Sequence, residues 1–104
     1  MKQIVVINNV LKMSKGKIAR VCLMLGMNSK YLLTDKISKQ WEKNHFTAIV
    51  LKTDDYYIAK CKAIKFVGQV AAHIDLGFTQ VPKGSDCGFV CFTDLDIFKD
   101  LKLY

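Results

Sequence analysis

The chain is short of the residues that punctuate or staple a fold. It has one proline, Pro82, two histidines and no CxxC pair among its four cysteines. There are no repeats, low-complexity segments or linkers. His45 and His73 are not spaced as partner ligands to any cysteine, which argues against a zinc site. Cys22, Cys61, Cys87 and Cys91 read instead as small buried hydrophobes in a reducing compartment, with Cys22 and Cys61 on apolar helix faces and Cys91 in an apolar strand. The opening MKQIVVI is too short an apolar run for a secretory leader. No stretch approaches the roughly 20 apolar residues that span a bilayer. These absences point to a cytoplasmic protein with no zinc site and no membrane-spanning segment.

Acidic residues are also scarce, at 9 against 16 Lys and Arg, for a formal net charge of +7. A basic surface attracts polyanions, so RNA, DNA or an acidic membrane face are the candidate partners. The competing reading is lysine for solubility. The 104 residues fit one domain spanning the whole chain, and 51% of them are hydrophobic, enough for a core.

Residues 3–8 (QIVVIN) predict a buried strand ended by Asn8 and Asn9. Ser14 is placed to cap a helix over about 15–31, with Ile18, Val21, Cys22 and Leu25 at helical spacing. Gly26 and Asn28-Ser29 weaken its last turns. Thr34 or Asp35 starts a second helix over 34–43, packing through Ile37 and Trp41. Residues 46–52 predict a second strand, and Thr53-Asp54-Asp55 signals a helix start. That helix runs to about 67 with Tyr57, Ile58, Cys61, Ile64 and Val67 along its apolar side, and Gly68 ends it. Strands follow at 70–74 and 87–93, separated by a loop holding Pro82, which cannot sit inside a paired strand. Asp94 or Asp96 caps a short last helix. The order is β-α-α-β-α-β-β-α, a three-layer α/β domain with one four-stranded mixed sheet and helices on both faces.

Two features carry chemistry. Lys12, Lys15 and Lys17 crowd a helix N-terminus, where the dipole disfavours cations and the free amides favour anions. An external anion explains them better than chance. Asp75 ends a strand beside a glycine-containing loop, where α/β folds commonly place functional groups. It reads either as a carboxylate that orients water or as a simple turn former.

The chain resembles the type 2 peptidyl-tRNA hydrolase family along nearly its whole length. LKMSKGKIA looks like that family's LKMGKGK-[IV]-A block, and Cys22 falls where the family often has cysteine. Lys39-Gln40-Trp41-Glu42 is similar to a KxWE-like segment. IDLGFTQVPKGS, with Asp75, Gly77, Thr79, Gln80, Gly84 and Ser85, looks like the DAGRTQ-[IV]-xxGS block. LKLY is a typical family ending. The resemblance implies an enzyme that cleaves the ester between a peptide and the tRNA 3′ end, without metal or organic cofactor, and in many relatives a homodimer. It implies catalytic roles for Lys15, Asp75 and Thr79, and tRNA contacts for Lys12, Lys17, Gln80 and Ser85.

The chain departs from the pattern at two positions. Met24 stands where the family has a histidine commonly assigned a catalytic role, and methionine cannot transfer a proton. Phe78 replaces an arginine before Thr-Gln. His73, two residues before Asp75, shares its strand face if the strand continues that far, and is either a relocated imidazole or a packed core residue. Phe78 either stacks on a base or packs on the Leu23-Met24 surface. Two alternatives to the hydrolase therefore stand: a catalytically degenerate RNA-binding domain, or an interaction module using Leu23–Met27 as a dimer face.

Overall fold

A strand with four consecutive apolar residues can be satisfied only at the centre of a sheet covered on both faces. Lys2–Asn8 (β1) is such a strand. Ile4 and Val6 are buried toward one face, and Val5 and Ile7 toward the other. The computed structural model of the chain describes residues 1–74 and 84–104. It adds strands β2 (Ala48–Thr53), β3 (Ala71–Ile74), β4 (Asp86–Thr93) and β5 (Lys102–Leu103), with helices α1 (Lys15–Asn28), α2 (Asp35–Lys43) and α3 (Tyr56–Phe66). The sheet order is β3-β4-β1-β2-β5. β1 pairs parallel with β2, Val5 opposite Val50, and antiparallel with β4, Val5 opposite Val90. β3 and β5 are antiparallel to β4 and β2.

α1 covers one face, laying Val21 and Leu25 on Val5, Ile7, Cys87 and Val90. α3 covers the other, laying Tyr56, Ala59 and Ala63 on Ile4, Val6, Leu51, Phe89 and Cys91. The mixed sheet with helices on both faces agrees with the expectation from sequence; the strand count does not. Among the described residues five strands are present instead of four. The expected last helix is replaced by a turn at 97–100 followed by β5. Phe98 decides this. It is buried against Phe89, at 6.1 Å between ring centroids, and so carries the chain back to β2, where the Tyr104 amide donates to the Val50 carbonyl at 2.9 Å.

The buried side of α3 also differs from the expected one. Tyr57, Ile58, Cys61 and Ile64 are exposed, and the helix packs through Tyr56, Ala59 and Ala63 instead. Two alanines let the helix lie close to the sheet, and the Tyr56 hydroxyl donates to Asp86 Oδ1 at 2.6 Å, which fixes its rotation. Cys61 is therefore no core residue. Cys87 and Cys91 are buried, and burial pushes the Cys91 thiol up to about 12, so it stays protonated at neutral pH.

α1 stops at Asn28, short of the expected 31, and continues as a 3-10 turn over Ser29–Leu32. Ser29 is the cause. It is buried, its hydroxyl donates to the Gly26 carbonyl at 2.6 Å, and it accepts from Gln3 Nε2 of β1 at 3.0 Å. The caps read from sequence hold: the Ser14 side chain accepts from the Lys17 amide, and Thr34 from that of Ile37. Gly68, just past α3, has φ +98.

Gly88 marks the tightest packing. A Cβ there would lie 2.9 Å from the Val6 carbonyl oxygen and 3.1 Å from Leu25 Cδ1. The backbone contact cannot yield by a rotamer change. Gly88→Ala is expected to cost about 1–3 kcal/mol. Chemical denaturation should show this as a lower midpoint at an unchanged slope.

Candidate functional site

β1, β2 and β3 run parallel to one another, so their C-terminal ends share one edge of the sheet, and β4 starts there. In open α/β sheets this edge is where ligands are bound. Asn8 closes β1 and has two tasks. Its side-chain oxygen accepts from the Val10 amide at 3.3 Å, starting a 3-10 turn over Asn9–Leu11, and its Nδ2 donates to the Asp86 carbonyl at 3.1 Å. The turn delivers the chain directly to Lys12, Ser14 and the first turn of α1.

This helix start is electrostatically unusual. Its first turn holds no acidic residue, although acids are favoured there. Lys12 and Lys15 are exposed. Lys17 is not; it is only 5% exposed and shares the sheet-facing side of α1 with Val21 and Leu25, at i, i+4 and i+8. The three lysines are thus divided: two face outward, and one is enclosed against the sheet. Ser85 lies half-buried immediately before β4. The expectations for Asp75, Thr79, Gln80 and Phe78 lie outside the described residues; in sequence, Asp75 directly follows Ile74, the last residue of β3.

His73 is half-buried on β3 opposite Gly88. His73 pairs with Gly88 and Ile74 with Asp86, so the pairing shifts register and the extra residue, Cys87, lies in β4; the alignment of His73 with Asp75 lies outside the described residues. The bulge also explains why Cys87 joins the α1 side while Phe89 joins the α3 side. His45 is exposed, in the turn after α2. Met24 is half-buried on α1. At a rise of 1.5 Å per residue it stands about 13 Å along the helix axis from Lys15.

The other half of the edge has the opposite character. Thr53, Asp54 and Asp55 close β2 and open α3; the Thr53 hydroxyl accepts from the Asp55 amide at 3.0 Å, and Asp54 Oδ1 accepts from Asn9 Nδ2 at 3.0 Å. A cleft of about 310 Å³ lies here, with Asp54, Asp55 and Asp100 among its walls and Lys52 and Lys102 beside them. The lysines beside the carboxylates leave this half of the edge mixed in charge, unlike the acid-free start of α1. A cleft of about 420 Å³, lined by Leu32, Ile37, Phe66 and Phe92, lies at the opposite end of the sheet, away from these lysines.

Sequence reasoning missed one cluster. Asp86 accepts from Tyr56 Oη at 2.6 Å and from Lys60 Nζ at 2.5 Å, next to Ser85. Burial, then the hydrogen bond and charge of Asp86, hold the Tyr56 hydroxyl well above the usual phenol range. Only the i, i+4 spacing of Tyr56 and Lys60 was visible beforehand. Among the described residues no group of His, Cys, Asp or Glu is arranged to hold a metal ion. No helix among them is long and apolar enough to cross a membrane.

The fold is that of an α/β domain with a cationic helix start beside the ends of its parallel strands. The family comparison is consistent with that class and narrower: the profile of the family Peptidyl-tRNA hydrolase PTH2 matches residues 1–93 of the 104, and the chain belongs to that family. No curated protein matches the sequence.

Lys12 carries both a charge and a strained backbone, with φ 51 and ψ 46 in the left-handed region. Glycine relieves a cost of about 1 kcal/mol there. Lys12→Gly is expected to leave the melting temperature at or above that of the parent. If the ammonium meets a phosphate, the slope of log K against log salt for tRNA binding also shrinks by about one.

Proposed function

We propose that this chain hydrolyses the ester joining a peptide to the 3′ end of a tRNA. The observation that carries the reading is the acid-free, lysine-bearing start of α1, set at the same sheet edge as Ser85 and the end of β3 in a chain of the peptidyl-tRNA hydrolase family. Ester hydrolysis needs an aimed water, an acceptor for its proton and donors to the oxyanion. Asp75 aims the water and takes its proton. Water oxygen bonds to the ester carbon, the bond to the ribose oxygen breaks, and the proton ends on the departing hydroxyl. Lys12 and Lys15 meet tRNA phosphates. Lys15 and Lys17 are the cations for the reacting carbonyl, and the enclosed position of Lys17 favours it for a group brought into the edge. Thr79 donates a hydrogen bond to the substrate, and Gln80 and Ser85 contact the tRNA end. The reaction belongs to translation, and its proposed setting is the cytoplasm.

Met24 favours a second reading, an RNA-binding domain that keeps the cationic edge and has lost turnover, since a thioether cannot move a proton. Its distance along α1 weakens that reading: the proton acceptor assigned here is Asp75, not a group on the middle of the helix. A homodimer is also proposed, through the outward side of α1. Leu23 and Met27 are 74% and 59% exposed there, one turn apart.

A peptidyl-tRNA turnover assay with Asp75→Asn as control tests the reaction. Parent turnover that falls by about 10²–10⁴-fold in the variant supports hydrolysis by the assigned base. Absent turnover together with salt-sensitive tRNA binding supports the second reading. For the dimer, Leu23→Asp should lower the mass measured by sedimentation to that of one chain.

A further inference from the structure

We infer that Tyr56, Lys60 and Asp86 form a positioning clamp that sets Ser85 and the start of β4 for the proposed hydrolysis. The inference rests on that reading of the edge and adds to it three residues that the family resemblance did not assign.

The clamp joins three elements at one residue. Asp86 is the first residue of β4, and its side chain is only 11% exposed. One carboxylate oxygen accepts from Tyr56 Oη at 2.6 Å, and the other from Lys60 Nζ at 2.5 Å. Its main-chain oxygen accepts from Asn8 Nδ2 at 3.1 Å. The start of β4 is thereby tied to the first two turns of α3 by its side chain and to the end of β1 by its backbone. Ser85 is the covalent neighbour of this fixed point.

Packing does not require these polar groups. The Tyr56 ring already sits among Phe89 and Ala59 in the core, and a phenylalanine would fill the same space. A half-buried ion pair is commonly replaced by apolar side chains without loss of stability. What the triad supplies is direction, because two oxygens held by two donors from one helix leave the Asp86 carboxylate a single orientation. It also lies where strand pairing alone fixes least. The register between β3 and β4 shifts at Ile74, which is paired with Asp86. A bulge breaks the ladder locally, so side-chain bonds take over the fixing of the backbone at the strand start.

Misplacing a reacting group by about 1 Å can cost about 10²-fold in rate. The test measures kcat and KM for a peptidyl-tRNA, melting temperature, and amide hydrogen exchange over residues 84–88. The proteins are the parent, Tyr56→Phe, Lys60→Met and Lys60→Arg. The clamp predicts that Tyr56→Phe and Lys60→Met lower kcat about tenfold or more with KM within about twofold. Exchange at 84–88 should rise in both while each remains folded at the assay temperature, and Lys60→Arg should restore most of kcat. Parent-like kcat in Tyr56→Phe and Lys60→Met overturns the clamp, as does a loss of activity that follows only the unfolded fraction. Faster exchange at 84–88 with unchanged kcat overturns it too, since the segment would then be structural alone. A parent without turnover sinks the hydrolase reading and the clamp together. An active parent with indifferent variants sinks the clamp alone.

Discussion

The two-sided burial of β1 is the constraint on which the rest depends. Four consecutive apolar residues, Ile4 to Ile7, need cover on both faces, and each face recruits one helix. With α1 and α3 thus opposed, β1 must be central, and its only polar exit is Asn8. That residue starts the turn into the lysine-bearing helix and holds the Asp86 carbonyl. The position of the cationic edge is therefore a consequence of core packing. The close approach that produces it appears at Gly88, where even a methyl group would meet the β1 backbone.

The two helices meet the edge with opposite electrostatics. α1 begins with lysines and no acid, whereas α3 begins after Thr53-Asp54-Asp55. For the tRNA contacts proposed, the α1 half offers the more favourable field. The two signs do not simply cancel, because Asp54 is engaged with Asn9 and Asp86 with Lys60, while Lys12 and Lys15 project outward.

Features set by local chemistry were legible in the sequence. The apolar run of β1, the Ser14 and Thr34 caps and Gly68 after α3 depend on neighbours within a few residues, and each is present. Features set by partners remote in sequence were not. The apolar spacing of Tyr57, Ile58, Cys61 and Ile64 suggested a buried side for α3, but Ala59 and Ala63 won because small residues permit closer contact and Tyr56 found Asp86, 30 residues away. β5 was hidden for the same reason: Asp94, Asp96 and Asp100 look like helix caps and surface, and only the burial of Phe98 turns that segment into a strand. At the edge itself, the lysine cluster was legible because it contradicts the helix dipole. Its division into outward Lys12 and Lys15 and enclosed Lys17 was not, since that depends on which side of α1 meets the sheet.

That division bears on the chemistry more than the loss at Met24 does. Met24 occupies the middle of α1, over two turns from the helix start, and is flanked by Leu23 and Leu25. An imidazole there would serve a substrate lying along the helix. In the proposed reaction, Lys17 serves one lying at the strand ends. Burying an ammonium is costly, so a position this enclosed is stable only where polar or anionic groups compensate it. Lys17 is enclosed on the sheet side of α1 while Met24 lies further along the helix, so the proposed reaction places its cation at the strand ends and does not draw on the Met24 position.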